Sequence, residues 1–206
     1  MVIQYLQYLL TGLLISLSGS LPLGNLNVAA MQIAAKHSLN KAVWFAVGVT
    51  AIEMMYLRLT LGLLNLLAGY ERLFYLFRAL TIVLLLVLAV GSFIAARSKA
   101  GKHVILDSTG NKLVLGATMS ILNPMQVPFW LGWAVYLLSR SLLVATSGVY
   151  NIFTAGAGMG TFAALLLFIL AGRKFSVFMI THRASVNIAM GCLFGILALF
   201  QIVHFL

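Results

Sequence analysis

The chain's dominant constraint is a succession of long apolar runs, each near the length a helix needs to cross a lipid bilayer. About 20 apolar residues, rising about 1.5 Å each, span a hydrocarbon core of about 30 Å. Six such runs can be read: Ile3–Ala35, Ala42–Leu67, Ala79–Ala96, Leu113–Leu138, Gly148–Gly172 and Ala184–Phe205. They are continuous rather than alternating, which selects helices over a membrane barrel. Only 8% of the 206 residues are charged. Soluble domains carry about 25%, so a soluble globule would lack the polar surface it needs. The same composition excludes a disordered chain. The lone Cys192 excludes a disulfide framework, a C-x-x-C redox pair and a cysteine-based zinc site. The expectation is an all-α membrane protein forming one integral membrane domain over residues 1–206.

Charge then sets the topology. Thirteen Lys and Arg oppose Glu53, Glu71 and Asp107, for a formal net charge of +10. In a soluble protein that balance would suggest nucleic acid. Here the basic residues sit in short tethers between apolar runs, and the expected surroundings are lipid, with no nucleic-acid partner. Lys36, Lys41, Arg97, Lys99, Lys102, Lys112, Arg173, Lys174 and Arg183 fall in alternate tethers and so on one side. Arg72, Arg78 and Arg140 fall on the other, and Arg58 fits either a span or its outer end. The positive-inside bias places both termini outside the cytoplasm. No basic residue precedes Lys36, so the Tyr5–Leu17 run does not read as a cleavable signal peptide.

The chain also reads as doubled. Ser20-Leu-Pro22-Leu-Gly24-Asn25-Leu-Asn27 lies in the first run of one half, and Ser120-Ile-Leu-Asn123-Pro124-Met-Gln126-Val-Pro128 in the first run of the other. All three prolines of the protein lie in these two segments. Proline lacks an N–H and clashes with the preceding turn, so it kinks or breaks a helix. Gly24 adds backbone freedom, and the amides of Asn25, Asn27, Asn123 and Gln126 can serve backbone groups or a ligand. Ile3–Ala35 would cover about 50 Å as one straight helix, too long for one upright span. Three spans per half force the halves into opposite orientations. The expectation is two inverted three-helix repeats, about 1–98 and about 112–206, joined by a cytoplasmic linker over about 97–112, with helices 1 and 4 broken at the proline motifs. Transporters of that kind bind substrate near the midplane, where broken helices meet.

Glu53 is the sharpest single residue. It sits mid-way along the second run, where an ionised carboxylate costs a few kcal/mol on insertion scales. Thr50, Glu53, Tyr56 and Thr60 share one helical face, a polar stripe on an apolar helix. A carboxyl in that setting can carry a proton or pair with a substrate amine. Arg58 is off that face. It either snorkels to the outer interface or receives a substrate carboxylate. Gly156-Ala-Gly158-Met-Gly160 and Gly191-Cys-Leu-Phe-Gly195 allow close helix packing, within one chain or between copies in a homo-oligomer. Trp130 and Trp133 fit a pocket wall, an interfacial belt or plain packing. The four histidines form no metal-ligand spacing, no catalytic serine motif is present, and no cofactor or resident metal is expected.

These motifs resemble the L-lysine exporter (LysE/RhtB-type) family of bacterial inner-membrane transporters along nearly the whole chain. That family carries a P-G-P-N-type motif, a basic tether and a glycine-to-acid stretch. They read here as Pro22-Leu-Gly24-Asn25, Lys36 to Lys41 and Gly48 to Glu53. Its second half carries Leu-Asn-Pro-Lys followed by aromatics, here Leu122-Asn123-Pro124-Met125 and then Phe129-Trp130. Two positions depart from the pattern: Gly24 stands for the second proline, and Met125 for the lysine. The resemblance implies export of amino acids or similar small metabolites across the bacterial inner membrane, driven by the proton or ion gradient, with no enzyme activity. On this reading the substrate or coupling ion meets Pro22, Gly24, Asn25, Asn27, Glu53, Tyr56, Asn123, Pro124, Gln126 and Pro128, with Arg58 as the candidate carboxylate partner. A metal-ion exporter of related architecture, a membrane enzyme and a purely structural membrane subunit are the competing classes.

Overall fold

The computed structural model describes residues 2–21, 24–67, 71–97, 110–123 and 125–203. Among them it is all helix: α1 (Val2–Ser20), α2 (Asn25–Lys36), α3 (Leu39–Leu67), α4 (Glu71–Arg97), α5 (Lys112–Ile121), α6 (Gln126–Ser139), α7 (Ser147–Thr181) and α8 (Arg183–Val203). Helix is the expected choice, because a single segment then satisfies its own backbone groups in lipid. Stretches within α3, α4, α7 and α8 are long and apolar enough to cross a membrane. A fifth crossing counts if α1 and α2, which meet at a bend, form one broken span. The run expected over Leu113–Leu138 is carried by α5 and α6, with 122–125 between them. At about 15 and 21 Å, neither crosses about 30 Å of hydrocarbon alone.

Two expectations about boundaries change. The stretch 173–181, read as a basic tether, is the last part of α7. No proline or glycine lies between Arg173 and Arg183 to stop the helix. α4 begins at Glu71, ahead of the stretch apolar enough to cross, which starts at Ala79 as expected. Pro128 does not break its helix, since it is the third residue of α6. N–H groups in a first turn have no helical acceptor, so a proline there removes no bond. Pro22, Pro124 and most of the expected linker lie outside the described residues.

Side chains are sorted by lipid rather than by water. Leu76, Leu80, Val83, Val87, Val90 and Ile94 form an exposed stripe along α4. Thr81, Leu85, Leu88 and Ala89 face inward, and the last three pack with Phe194, Leu197 and Ala198 of α8. Two further cores lie at different depths. One joins Ile15, Leu57, Leu61, Trp130, Phe153 and Ala157. The other joins Ala29, Ile33, Phe45, Val49, Leu165 and Ile169. On α3 the second ends at Val49 and the first begins at Leu57. On α7 the order is reversed, with Ala157 in the first and Leu165 in the second. α3 and α7 therefore run antiparallel through both cores, leaving a thin layer between them that holds Glu53 and Thr161.

Lipid tails are as apolar as leucine, so burial against them drives little, and close backbone packing must contribute instead. Glycines supply it at two crossings. A Cβ on Gly12 would collide with the Phe153 carbonyl of α7, and one on Gly156 with the Leu9 carbonyl of α1. At the other crossing, a Cβ on Gly116 would collide with the Phe45 carbonyl of α3, and one on Gly48 with the Leu113 carbonyl of α5. In all four cases the obstructing carbonyl lies three residues before the glycine of the facing helix.

Gly48→Ala and Gly156→Ala are each expected to cost about 1–3 kcal/mol through forced separation of the helices. Gly91, with nothing near its missing Cβ, is the control: Gly91→Ala is expected to stabilise by up to about 1 kcal/mol through helix propensity. Thermal melts of the purified protein in detergent, followed by size-exclusion chromatography, would check both signs.

Candidate functional site

Glu53 lies fourteen residues from either end of α3, about 21 Å along the axis from each. Its residue is 7% exposed. An acid at that depth must be solvated by its own protein, and three side chains surround it. Ser16 of α1 donates from Oγ to Glu53 Oε1 at 3.3 Å. Ser16 and Thr161 of α7 share a hydrogen bond of 2.5 Å between their hydroxyls. Thr161 Oγ1 also reaches the Ala157 carbonyl at 3.2 Å. Thr161 and Trp130 of α6 both bear on the carboxyl, although the Trp130 indole N–H makes no hydrogen bond of full geometry. Ser16, Thr161 and Trp130 are each no more than 2% exposed. The acid is thus held from α1 by the Ser16 hydroxyl, which Thr161 of α7 backs, with Trp130 of α6 beside it.

A second polar group lies one turn along α3. Ser120 of α5 donates to the Val49 carbonyl at 3.3 Å and accepts from Gln126 Nε2 at 2.8 Å. The Gln126 Oε1, the Thr50 Oγ1 and the Thr154 Oγ1 are buried without a partner. Each such atom normally costs about 1–3 kcal/mol; Thr50 and Gln126 border the Glu53 layer, whereas Thr154 sits within the first core, between Phe153 and Ala157. Apolar cores close this layer on both sides. Among the described residues no three His, Cys, Asp or Glu side chains come together.

The residues singled out from the sequence fall into several places. Glu53 and Gln126 belong to the buried layer. Asn27 is buried at the bend after α1, where its amide donates to the Ser20 carbonyl at 2.7 Å. It therefore caps a carbonyl that the end of a helix leaves without an N–H. Tyr56 reaches the end of α5, its hydroxyl donating to the Ile121 carbonyl at 3.2 Å. Asn123 Oδ1 accepts from the Met125 N–H at 3.2 Å, a local turn between α5 and α6. Asn25 is exposed at the first position of α2. Gly24 is the α2 N-cap in extended conformation, which any residue adopts, so the freedom expected of it is not called upon. The polar stripe on α3 is only partly one site: Thr60 turns back to bond the Tyr56 carbonyl at 2.8 Å.

Arg58 lies outside the Glu53 cluster. Its guanidinium donates to Asn151 Oδ1 at 2.9 Å and to Ser147 Oγ at 3.0 Å, and stacks 5.5 Å from the centre of the Tyr150 ring. It fastens α3 to the first turn of α7 beside a cavity of about 360 Å³ lined by Leu64, Asn65, Leu138, Ser141, Leu143, Val144, Ala145 and Tyr150.

Sequence reading missed Ser16, Thr161 and Ser120. A signal was present. Leu9-x-x-Gly12-x-x-x-Ser16 recurs as Leu113-x-x-Gly116-x-x-x-Ser120, and Phe45-x-x-Gly48-x-x-x-x-Glu53 recurs as Phe153-x-x-Gly156-x-x-x-x-Thr161. Comparing the proline motifs alone did not reveal it.

Thr161→Val keeps the shape of the side chain and removes its hydroxyl. It is expected to cost about 1–3 kcal/mol, because Ser16 loses a buried partner. Thr118→Val, on the exposed face of α5, is expected to leave stability unchanged. Melting temperatures of the two variants in one detergent give the comparison.

No curated protein and no solved structure matches the chain. The family model for LysE type translocators matches residues 17–204. That span takes in α2 to α8 and every residue of the buried layer except Ser16, at its edge. A multi-pass helical membrane protein with a polar layer closed between apolar cores agrees with that match, and the chain belongs to the LysE-type translocator family.

Proposed function

We propose that the chain is a secondary exporter of amino acids or related small metabolites, seated in the bacterial inner membrane with both termini outside the cytoplasm. Export is driven by the proton or ion gradient, and Glu53 is the residue that couples it. The observation that carries this reading is the Glu53 layer itself. A buried acid is held by neutral hydroxyls contributed by α1 and α7, lies midway along its span, and is sealed by apolar cores on both sides. A structural acid would be served as well by backbone groups of its own helix end. An acid that must gain and lose a proton, or a substrate amine, needs neutral partners that release it.

The exporter consists of two inverted halves, about 1–98 and about 112–206. Support comes from the glycine crossings, since α1 meets α7 through Gly12 and Gly156 as α5 meets α3 through Gly116 and Gly48. The buried positions 42, 45, 46, 48, 49, 53, 57 and 61 of α3 match 150, 153, 154, 156, 157, 161, 165 and 169 of α7. Under this correspondence each apolar core maps onto the other: Phe45 and Val49 answer Phe153 and Ala157, and Leu57 and Leu61 answer Leu165 and Ile169. The two cores then act as gates that open in turn as the halves rock. The substrate takes up the spare polar atoms of Thr50 and Gln126, and the segments around Pro22–Asn27 and Asn123–Pro128 carry the moving ends. Arg58, beside the cavity at the start of α7, receives a carboxylate on its way out. One elementary charge moved through 100 mV supplies about 2.3 kcal/mol to the cycle.

The test is efflux from proteoliposomes loaded with a mixture of amino acids under an imposed pH gradient. The parent protein is expected to release at least one amino acid faster than protein-free vesicles. Glu53→Gln, inserted to the same level, is expected to slow that release at least tenfold. A Glu53→Gln protein that exports at the parent rate would remove Glu53 from the mechanism. Release of none of the amino acids by the parent would point to another cargo class.

A further inference from the structure

Ser120 occupies, on α5, the place that Ser16 occupies on α1. Ser16 follows Gly12 by four residues and Ser120 follows Gly116 by four, and the two glycines make the same approach to Phe153 and Phe45. Thr161 and Glu53 hold the matching places on the facing helices, five residues after Gly156 and Gly48. Both serines are fully buried.

The two hydroxyls are nevertheless used differently. Ser16 bonds at the level of the acid, to Glu53 Oε1 at 3.3 Å and to Thr161 Oγ1 at 2.5 Å. Ser120 bonds to the Val49 carbonyl at 3.3 Å and is held from behind by Gln126 at 2.8 Å. Val49 lies four residues before Glu53, so its carbonyl is also the helical acceptor of the Glu53 N–H. Ser120 therefore shares an acceptor that is already served and gives it up at little cost. Across the layer, the corresponding carbonyl of Ala157 is already taken by the Thr161 hydroxyl at 3.2 Å. The protein thus has serines in matching places on the two crossings, and only Ser16 is bonded to the acid.

We propose that Ser120 is the second resting place of the Glu53 carboxyl: in the opposite-facing conformation the carboxyl leaves Ser16 and takes the Ser120 hydroxyl, while Gln126 lets that hydroxyl go. This rests on the reading of the chain as two inverted halves. When such halves exchange conformations, the contact between Ser16 and Thr161 is replaced by its counterpart between Ser120 and Glu53. Ser120 is then a positioning residue that sets the balance between the two facing states, with Ser16 as its opponent.

Distances between spin labels read that balance without any substrate. In a Cys192→Ser background reconstituted in lipid, one labelled pair is Gln4→Cys with Ser139→Cys, and the other Asn40→Cys with Val114→Cys. All four positions are exposed. They lie at opposite ends of the helices, so opening on one side lengthens one distance and shortens the other. Ser16→Ala is expected to raise the share of the second state about five- to tenfold, as the loss of one buried hydrogen bond allows. Ser120→Ala is expected to lower it by a similar factor, and the double variant to return near the parent. Gln126→Leu, which frees Ser120, is expected to act in the same direction as Ser16→Ala.

A hydroxyl that only stabilises the fold would give the same sign for Ser16→Ala and Ser120→Ala, and that result would overturn the proposal. So would an unchanged distribution in Ser120→Ala. If the parent shows a single distance in each pair, Ser16→Ala must bring out a second and Ser120→Ala must remove it again. A failure here with efflux intact counts against Ser120 alone, whereas a failure of efflux with opposite shifts intact counts against the cargo and not the exchange.

Discussion

A carboxyl in the middle of a helix that crosses hydrocarbon has no water to turn to, and the rest of this molecule is arranged around that fact. Glu53 cannot be solvated from α3 alone, because the backbone groups of a helix interior are spent on each other. Partners must come from neighbouring helices brought very near. The near approach is made by glycines: α1 lies against α7 through Gly12 and Gly156, which sets Ser16 beside Thr161 and both beside the acid. Packing and polarity are therefore one problem here. A side chain at either glycine would push the hydroxyls away from the charge they serve.

The same crossing explains why the layer is so thin. Above and below Glu53 and Thr161 the helices return to Leu, Val, Phe and Ala, and two separate apolar cores form at different depths. Apolar groups between a polar layer and either water phase exclude ions and water, which strengthens every electrostatic interaction inside. Asn27, Asn123 and Tyr56 tend the ends and turns of α1, α5 and α6 rather than the acid.

Much of the fold was legible in the sequence because lipid leaves a chain few choices. Continuous apolar runs must be helices, and an acid within one must turn inward, so α3, α4, α7, α8 and the burial of Glu53 could be read from residue type and spacing. Helix ends were less legible. Nothing in the residues at 173–181 separates a basic tether from the last turns of α7, and proline at 128 looks like a breaker until its place in the first turn of α6 is known. The partners of Glu53 were the least visible part. Serine and threonine are common in membrane helices, where they bond back to their own backbone, as Thr60 does. What distinguishes Ser16 and Thr161 is a register between helices far apart in the chain. That register is written in the spacing from glycine to hydroxyl, which the proline motifs do not show even though one of them contains Ser120 and Gln126.

The glycine crossings on the two sides of the layer correspond, but where α3 carries the acid Glu53, five residues after its glycine, α7 carries the neutral Thr161. Of the protein's three acids, Glu71 stands at the start of α4 and Asp107 lies outside the helices described, so Glu53 is the only acid within the described spans. In the proposed export cycle, a single carboxyl in the layer carries at most one proton per turnover. For a cargo of no net charge, 100 mV then sustains a concentration ratio of about fiftyfold, with any pH difference adding to it. On the proposed coupling, that one acid sets how steep a cargo gradient export can hold.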